Sequence, residues 1–103
     1  MDELVSEATV EIKNADGLHM RPAMQFIDLA STFESEITVS NIETEVDGKS
    51  IMGMVTLKAV CGTKLKVKAQ GPDAFEAIDA LKELVEVKMF DEPPPKKKKS
   101  TAG

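Results

Sequence analysis

Two kinds of hydrophobic periodicity succeed one another along the chain, and their order restricts the fold more than any other feature. Apolar and polar residues alternate, as in half-buried strands, in four segments, namely residues 8–12, 36–39, 44–46 and 64–69. Apolar residues recur at helical spacing in three others, namely residues 20–33, 51–58 and 74–88. The order βαββαβα, with one apolar face on each element, predicts an α+β two-layer sandwich, a four-stranded antiparallel sheet with three helices on one face.

Both ends of the chain fall outside this pattern. We predict one folded domain over residues 1–90, in which residues 1–7 form a ragged start. Residues 93–95 are prolines and residues 96–99 are lysines, a composition that favours an extended, self-repelling chain. Residues 91–103 are therefore predicted to be a disordered tail. A solubilising role is favoured for this tail over the alternative, which is docking to an acidic partner or to an anionic membrane surface.

The charge balance and the aromatic content exclude nucleic acid as a partner. The formal net charge is −5, and all 18 acidic residues precede residue 93. Nucleic-acid binding requires a basic patch or a row of aromatic side chains on which bases stack. The chain has no Trp, no Tyr and only four Phe, so the acidic body offers neither.

The cysteine and histidine content argues against a metal site. Cys61 is the only cysteine and His19 the only histidine, which excludes an internal disulfide framework and a cysteine-rich zinc site. We expect Cys61 to be a buried small residue, and we predict neither a metal nor a cofactor. The acidic start lacks a signal-peptide pattern and no apolar run has the length of a membrane span. We therefore expect a cytoplasmic protein without membrane insertion.

Residues 17–23 have the sequence Gly-Leu-His-Met-Arg-Pro-Ala, and they contain the candidate functional residues His19 and Arg21. Pro22 suits the first turn of a helix, so His19 is predicted at the helix N-terminus with Arg21 just inside it. Such a terminus attracts anions, and a guanidinium adds a fork that suits phosphate. A nucleophilic imidazole in a phosphate-binding corner is the chemistry of a phosphoryl carrier. The alternative for a lone histidine is a capping or plain surface role.

The motif resembles the phosphorylation site of the HPr family, the histidine-containing phosphocarriers of the bacterial phosphoenolpyruvate-dependent sugar phosphotransferase system. Residues 49–53, Lys-Ser-Ile-Met-Gly, are similar to the family's Gram-positive serine-phosphorylation segment, and the resemblance runs from about residue 8 to about residue 90. It implies the sheet order 1-4-2-3. It also implies a carrier, rather than a free-standing enzyme, that takes phosphate from enzyme I on Nδ1 of His19 and passes it to EIIA-type domains. Arg21 would stabilise the transferring charge.

Ser50 has two compatible interpretations. It is a good N-cap for a short helix that begins at Ile51. The resemblance implies that it is also a regulatory site for an HPr kinase/phosphorylase, with a transcription regulator as a further partner. The alternative to the sugar-transport carrier is therefore a regulatory binding module that acts mainly through Ser50 in carbon catabolite regulation. Retention of His19 and Arg21 favours the carrier.

Five apolar side chains are predicted to form a rim around His19 that contacts partner proteins, namely Met20, Met24, Ile51, Met52 and Val55. Flexible methionines suit a surface that docks several partners, and burial in the core is the alternative. We expect a monomer, since a relay that docks its partners in turn needs no second copy.

Two local predictions concern the rest of the chain. The last helix is predicted to start with a capping box formed by Asp73 and Glu76, and to pack through an apolar stripe of Phe75, Ile78, Leu81 and Val85. The turn at residues 40–43 lacks the glycine that many HPr relatives carry there.

Overall fold

The computed structural model describes residues 4–91 and confirms the predicted α+β order. One antiparallel sheet contains four strands, which are β1 (Val5–Glu11), β2 (Glu36–Ser40), β3 (Glu45–Asp47) and β4 (Lys64–Gln70). Three helices follow the predicted pattern, which are α1 (Met20–Ala30), α2 (Ile51–Thr56) and α3 (Ala74–Lys82). The strand order is β1-β4-β2-β3, as the family resemblance implied. Of the tail predicted for residues 91–103, residues 92–103 lie outside the described residues, whereas Asp91 belongs to a 3₁₀ turn rather than to a tail.

The register of β4 with its two neighbours separates the apolar face from the polar face. Val67 lies across from Ala8 of β1 and from Val39 of β2. Leu65, Val67 and Ala69 are buried, whereas the three lysines that alternate with them face solvent. Because successive side chains of a strand point to opposite faces, the apolar residues of β4 lie in the core and its lysines lie on the solvent face of the sheet.

The helices bury one side each against the apolar face of the sheet. Phe26 of α1, Met54 of α2 and Leu81 of α3 are the large side chains that each helix contributes to the core. Burial of such a side chain stabilises the fold by about 1.5–3 kcal/mol. The helices therefore form one layer and the sheet forms the other. The polar face of the sheet points away from the helices.

Residues 1–7 were predicted to lie outside any strand, and this is wrong for residues 5–7. Strand β1 already begins at Val5, and the carbonyl of Leu4 accepts a hydrogen bond from the Gly71 N–H at 2.8 Å. Val5 is 45% exposed, so the apolar alternation is weak there, and the pairing of Val5 with Gln70 of β4 makes it part of the strand.

The first helix ends at Ala30, three residues earlier than Phe33, where its apolar spacing ends. The following loop is held by Asp73 instead of by further helical turns. The Asp73 carboxylate accepts hydrogen bonds from the Glu34 and Ser35 N–H groups, both at 2.9 Å, and from the Ser35 hydroxyl. The predicted capping box is wrong for the same reason, since the Asp73 side chain makes no cap hydrogen bond to α3.

The apolar stripe predicted for the last helix is confirmed except at Phe75. Ile78, Leu81 and Val85 are buried, but Phe75 is 53% exposed; the small residues Ala74 and Ala77 take its place. After Lys82 the chain continues as a π-helical segment (Glu83–Val87) and a 3₁₀ turn (Met89–Asp91).

The Asn41 side chain stabilises the turn between β2 and β3, which has no glycine. The Asn41 Oδ1 atom accepts hydrogen bonds from the N–H groups of Glu43 at 2.8 Å and Thr44 at 2.7 Å. An asparagine side chain that bonds its own downstream backbone mimics a turn of the main chain. The turn therefore needs no glycine.

Two further features bear on the sequence-based expectations. Cys61 is half-buried, so its predicted burial is wrong; its Sγ lies 3.8 Å from the Lys13 carbonyl oxygen. Within residues 4–91, no helix is both long enough and apolar enough to span a membrane.

Candidate functional site

The loop that carries the candidate nucleophile is fixed at Gly17. Its φ is +73°, and a Cβ built there would lie 2.6 Å from the Ala59 carbonyl oxygen and 2.9 Å from Val60 Cα. Only glycine combines a left-handed backbone with so close an approach to another backbone segment. The loop therefore packs directly against the backbone of residues 59–60 before α1 begins.

Two neighbours hold this loop in place. The Asn14 side chain is fully buried, and its Nδ2 donates a 2.7 Å hydrogen bond to the Gly17 carbonyl oxygen. The Leu18 N–H donates to the Ala59 carbonyl oxygen at 2.8 Å, and the Leu18 side chain lies in the core. Asparagine is typical of turns, and the sequence around Asn14 gives no sign that its side chain is buried. Its burial depends on the packing of this loop against residues 59–63, which local sequence does not reveal.

His19 occupies the N-cap of α1 with extended backbone angles, φ −86° and ψ −167°. Its carbonyl accepts the first helical hydrogen bond, from the Ala23 N–H at 3.0 Å. Its side chain makes no cap hydrogen bond, and the residue is exposed. The predicted location of His19 at the helix start is confirmed, and its imidazole is accessible to a partner on the surface.

The first turn of α1 provides the electrostatic setting of His19. N–H groups at a helix start have no acceptor within the helix and carry the positive end of its dipole. Met20 and Arg21 lie in this turn, and Pro22, which has no N–H, is buried below it. Arg21 is exposed, so its guanidinium extends from the same turn on the solvent side.

Ser50 caps α2, as predicted. Its Oγ accepts a 3.2 Å hydrogen bond from the Gly53 N–H, and its carbonyl accepts one from the Met54 N–H at 3.0 Å. Gly53 lies where a Cβ would be only 3.0 Å from Val46 Cβ, which explains a glycine inside this short helix. Lys49 donates from Nζ to the Phe33 carbonyl at 2.8 Å, and thereby joins the Ser50 segment to the loop that follows α1.

The five predicted rim residues divide into two groups. Met20, Met24 and Met52 are exposed by 57%, 47% and 73%, while Ile51 and Val55 are half-buried and pack against the core. Met20 and Met24 are one helical turn apart and share a side of α1. The three methionines are therefore the solvent-accessible members of the predicted rim, and the aliphatic pair belongs partly to the core.

His19 and Arg21 are exposed, and two surface grooves lie elsewhere on the protein. A groove of about 520 Å³ lies on the sheet side and is lined by Glu36, Thr38, Asp47 and their neighbours; a second of about 250 Å³ lies near Asn41. Neither groove includes the predicted site residues. Within residues 4–91, no group of three His, Cys, Asp or Glu side chains could hold a metal ion.

A family model described as "PTS HPr component phosphorylation site" matches residues 6–87, which contain both His19 and Ser50. The chain belongs to the HPr family. It is 37% identical over 84 residues to the phosphocarrier protein HPr of Treponema pallidum, covering 82% of this chain and 96% of that protein. It is 43% identical over 84 residues to the phosphocarrier protein NPr of Proteus mirabilis, covering 81% and 92%.

A solved structure of the same family supports the fold. The crystal structure of HPr-C-His from Thermoanaerobacter tengcongensis superposes with a TM-score of 0.80 at 45% identity, covering 84% of this chain and 97% of that one. The chain is therefore a phosphoryl carrier of the HPr/NPr type, and proteins of this family work in the phosphotransfer chain of the phosphotransferase system.

Proposed function

We propose that His19 accepts the phosphoryl group from phospho-enzyme I and passes it to an EIIA-type domain. The observation that carries this proposal is the position of His19, whose side chain is exposed and does not cap the helix that it begins. The imidazole is therefore exposed at the start of α1, beside the N–H groups of the first turn, where a partner protein can approach it.

The proposed transfer is an in-line displacement at phosphorus. The lone pair of Nδ1 attacks, a phosphorus–nitrogen bond forms, and the bond from phosphorus to the donor group breaks with its electron pair leaving on the donor. The N–H groups of the first turn and the Arg21 guanidinium stabilise the charge on the phosphoryl oxygens. The second transfer reverses these roles, with His19 as the leaving group.

The open site suits macromolecular partners. A carrier must bring phosphorus into line with a nucleophile on another protein, and an exposed imidazole at the start of α1 allows such an approach. We propose that the carrier works in the cytoplasm as a monomer, and that Met20, Met24, Ile51, Met52 and Val55 contribute to docking.

Intact-mass spectrometry tests the carrier proposal. Incubation with enzyme I and phosphoenolpyruvate should add one phosphoryl group that brief acid treatment removes, since phosphohistidine is acid-labile. His19→Ala should add none, and Ser50→Ala should add one, as in the wild type. Acid-stable phosphate, or acceptance by the His19→Ala variant, would refute the assignment.

A second function is favoured by the position of Ser50. Its half-buried hydroxyl caps the start of α2, two residues before the exposed Met52, where a phosphate would add about −1.5 to −2 charge beside the proposed docking surface. We propose that an HPr kinase/phosphorylase uses this site, and that the phosphorylated form binds a transcription regulator. Incubation with that kinase and ATP should give acid-stable phosphate on the peptide that contains Ser50. No incorporation, with a control HPr phosphorylated alongside, would reject this function.

A further inference from the structure

Methionine is unevenly distributed between the core and the surface of this protein. The chain has six methionines. Met54 is fully buried, whereas Met20, Met24 and Met52 are each about half exposed or more. A thioether on the surface reacts with peroxide far more readily than one in a packed core, because oxidation requires access to sulfur. We call Met20, Met24 and Met52 the exposed methionines.

The exposed methionines lie on the two elements that carry the proposed phosphorylation sites. Met20 directly follows His19 in the first turn of α1, and Met24 lies one turn further along the same side. Met52 lies in the first turn of α2, two residues after Ser50. Helices α1 and α2 pack against each other. A chemical change at these three side chains therefore alters the surface that surrounds both sites.

We propose that the exposed methionines are a peroxide-sensitive modification site that weakens docking of the carrier to its phosphoryl donor. Each thioether sulfur attacks one oxygen of hydrogen peroxide; the O–O bond breaks, an S–O bond forms, and water leaves after proton transfer. Sulfur is oxidised by two electrons and peroxide is reduced. Methionine sulfoxide reductases reverse the change, so the modification can serve as a switch.

The effect on docking follows from the polarity of the sulfoxide. Oxidation turns a flexible apolar side chain into a polar one, which must lose water of hydration when a partner covers it. His19 itself is unchanged, so the chemical step should be preserved while association weakens. We therefore expect KM for the carrier, as substrate of enzyme I, to rise about tenfold, with little change in kcat. This inference rests on the proposed transfer from enzyme I.

The experiment uses the full chain with Cys61→Ser, because the half-buried thiol would also react with peroxide. The protein is treated with hydrogen peroxide and desalted, and its oxidised residues are located by peptide mass spectrometry. Initial rates of phosphorylation by enzyme I then give KM and kcat for the treated and untreated protein. The matched variant carries Met20→Leu, Met24→Leu and Met52→Leu, which keep apolar volume but cannot form a sulfoxide.

The expected results are specific to the three residues. The exposed methionines should gain oxygen well before Met54 does, KM should rise, and a reductase should restore it. The triple variant should give the same KM with and without peroxide, whatever its own untreated value. Oxidation of Met54 as fast as the exposed methionines, or an unchanged KM after their oxidation, would overturn the inference. If untreated protein accepts no phosphate at all, the carrier proposal fails and this inference fails with it.

Discussion

The buried Asn14 side chain donates a 2.7 Å hydrogen bond to the Gly17 carbonyl oxygen, and this contact fixes the loop that delivers His19 to the start of α1. The contact spans three residues, but both partners are held from outside the loop. Gly17 leans on Ala59 and Val60, and Leu18 bonds the Ala59 carbonyl. Contacts from outside the loop therefore hold it in place, and its geometry depends on a segment more than 40 positions away.

Asn14→Ala should lower both stability and transfer rate. It leaves the Gly17 carbonyl without this donor in a buried position, which costs about 1–3 kcal/mol of unfolding free energy. Urea denaturation measures the loss, and phosphorylation by enzyme I at saturating carrier measures the effect on His19. The control is Asn41→Ala, which removes turn hydrogen bonds on the sheet side. That variant should lose stability with its transfer rate unchanged; equal loss of rate in both would remove Asn14 from its positioning role.

Gly17→Ala should lower the free energy of unfolding by more than the positive φ of this residue alone explains. A non-glycine residue in the left-handed region costs of order 1 kcal/mol, and here the added Cβ would also meet the Ala59 carbonyl oxygen at 2.6 Å. Gly62→Ala is the matched variant, since Gly62 has φ +93° and nothing within 4 Å of its Cβ position. The difference between the two unfolding free energies isolates the close approach. Equal losses of unfolding free energy in the two variants would mean that the Gly17 loop can move away from Ala59 without a further loss of stability.

Arg21→Ala should slow phosphoryl transfer more than it weakens docking. The guanidinium extends from the first turn of α1 on the side open to solvent, where it can stabilise charge that develops on the phosphoryl oxygens. Loss of one such donor typically reduces kcat by about a hundredfold or more. Arg21→Lys keeps the charge without the fork, so it should recover part of the rate. Steady-state kinetics with enzyme I separate kcat from KM, and an unchanged kcat in Arg21→Ala would show that the guanidinium takes no part.

Asp73 should make stability sensitive to acid. Hydrogen bonds from the Ser35 hydroxyl and from the Glu34 and Ser35 N–H groups favour its charged form and lower its pKa below the ordinary 3.8. Because the folded-state pKa is the lower one, this contribution is present above about pH 3.8 and is lost as the pH falls through the folded-state pKa. In Asp73→Asn the unfolding free energy should vary less with pH in that acidic window. Urea titrations at several pH values measure the slope; an unchanged slope would exclude the carboxylate as its source.

The periodicity of the chain was sufficient to predict the strands, the helices and the α+β layering, because each element shows one apolar face in its own sequence. The position of His19 was predictable for the same reason. Pro22 and the helical spacing after it mark the start of α1 locally, and the motif around His19, together with the segment around Ser50, gave the resemblance to the family. The N-cap role of Ser50 was likewise local, since the capped N–H belongs to Gly53, only three residues away.

Tertiary structure decided the contacts between segments that are distant along the chain. Asp73 looked like a cap for α3 because Glu76 follows at the right spacing, but it bonds Ser35 across the core edge instead. Phe75 continued an apolar pattern, yet alanines pack in its place. Asn14 and Gly17 became positioning residues only where residues 59–60 approach them. A sequence pattern reports which residues prefer burial or a turn, whereas the partner that a polar group meets depends on which backbone lies beside it.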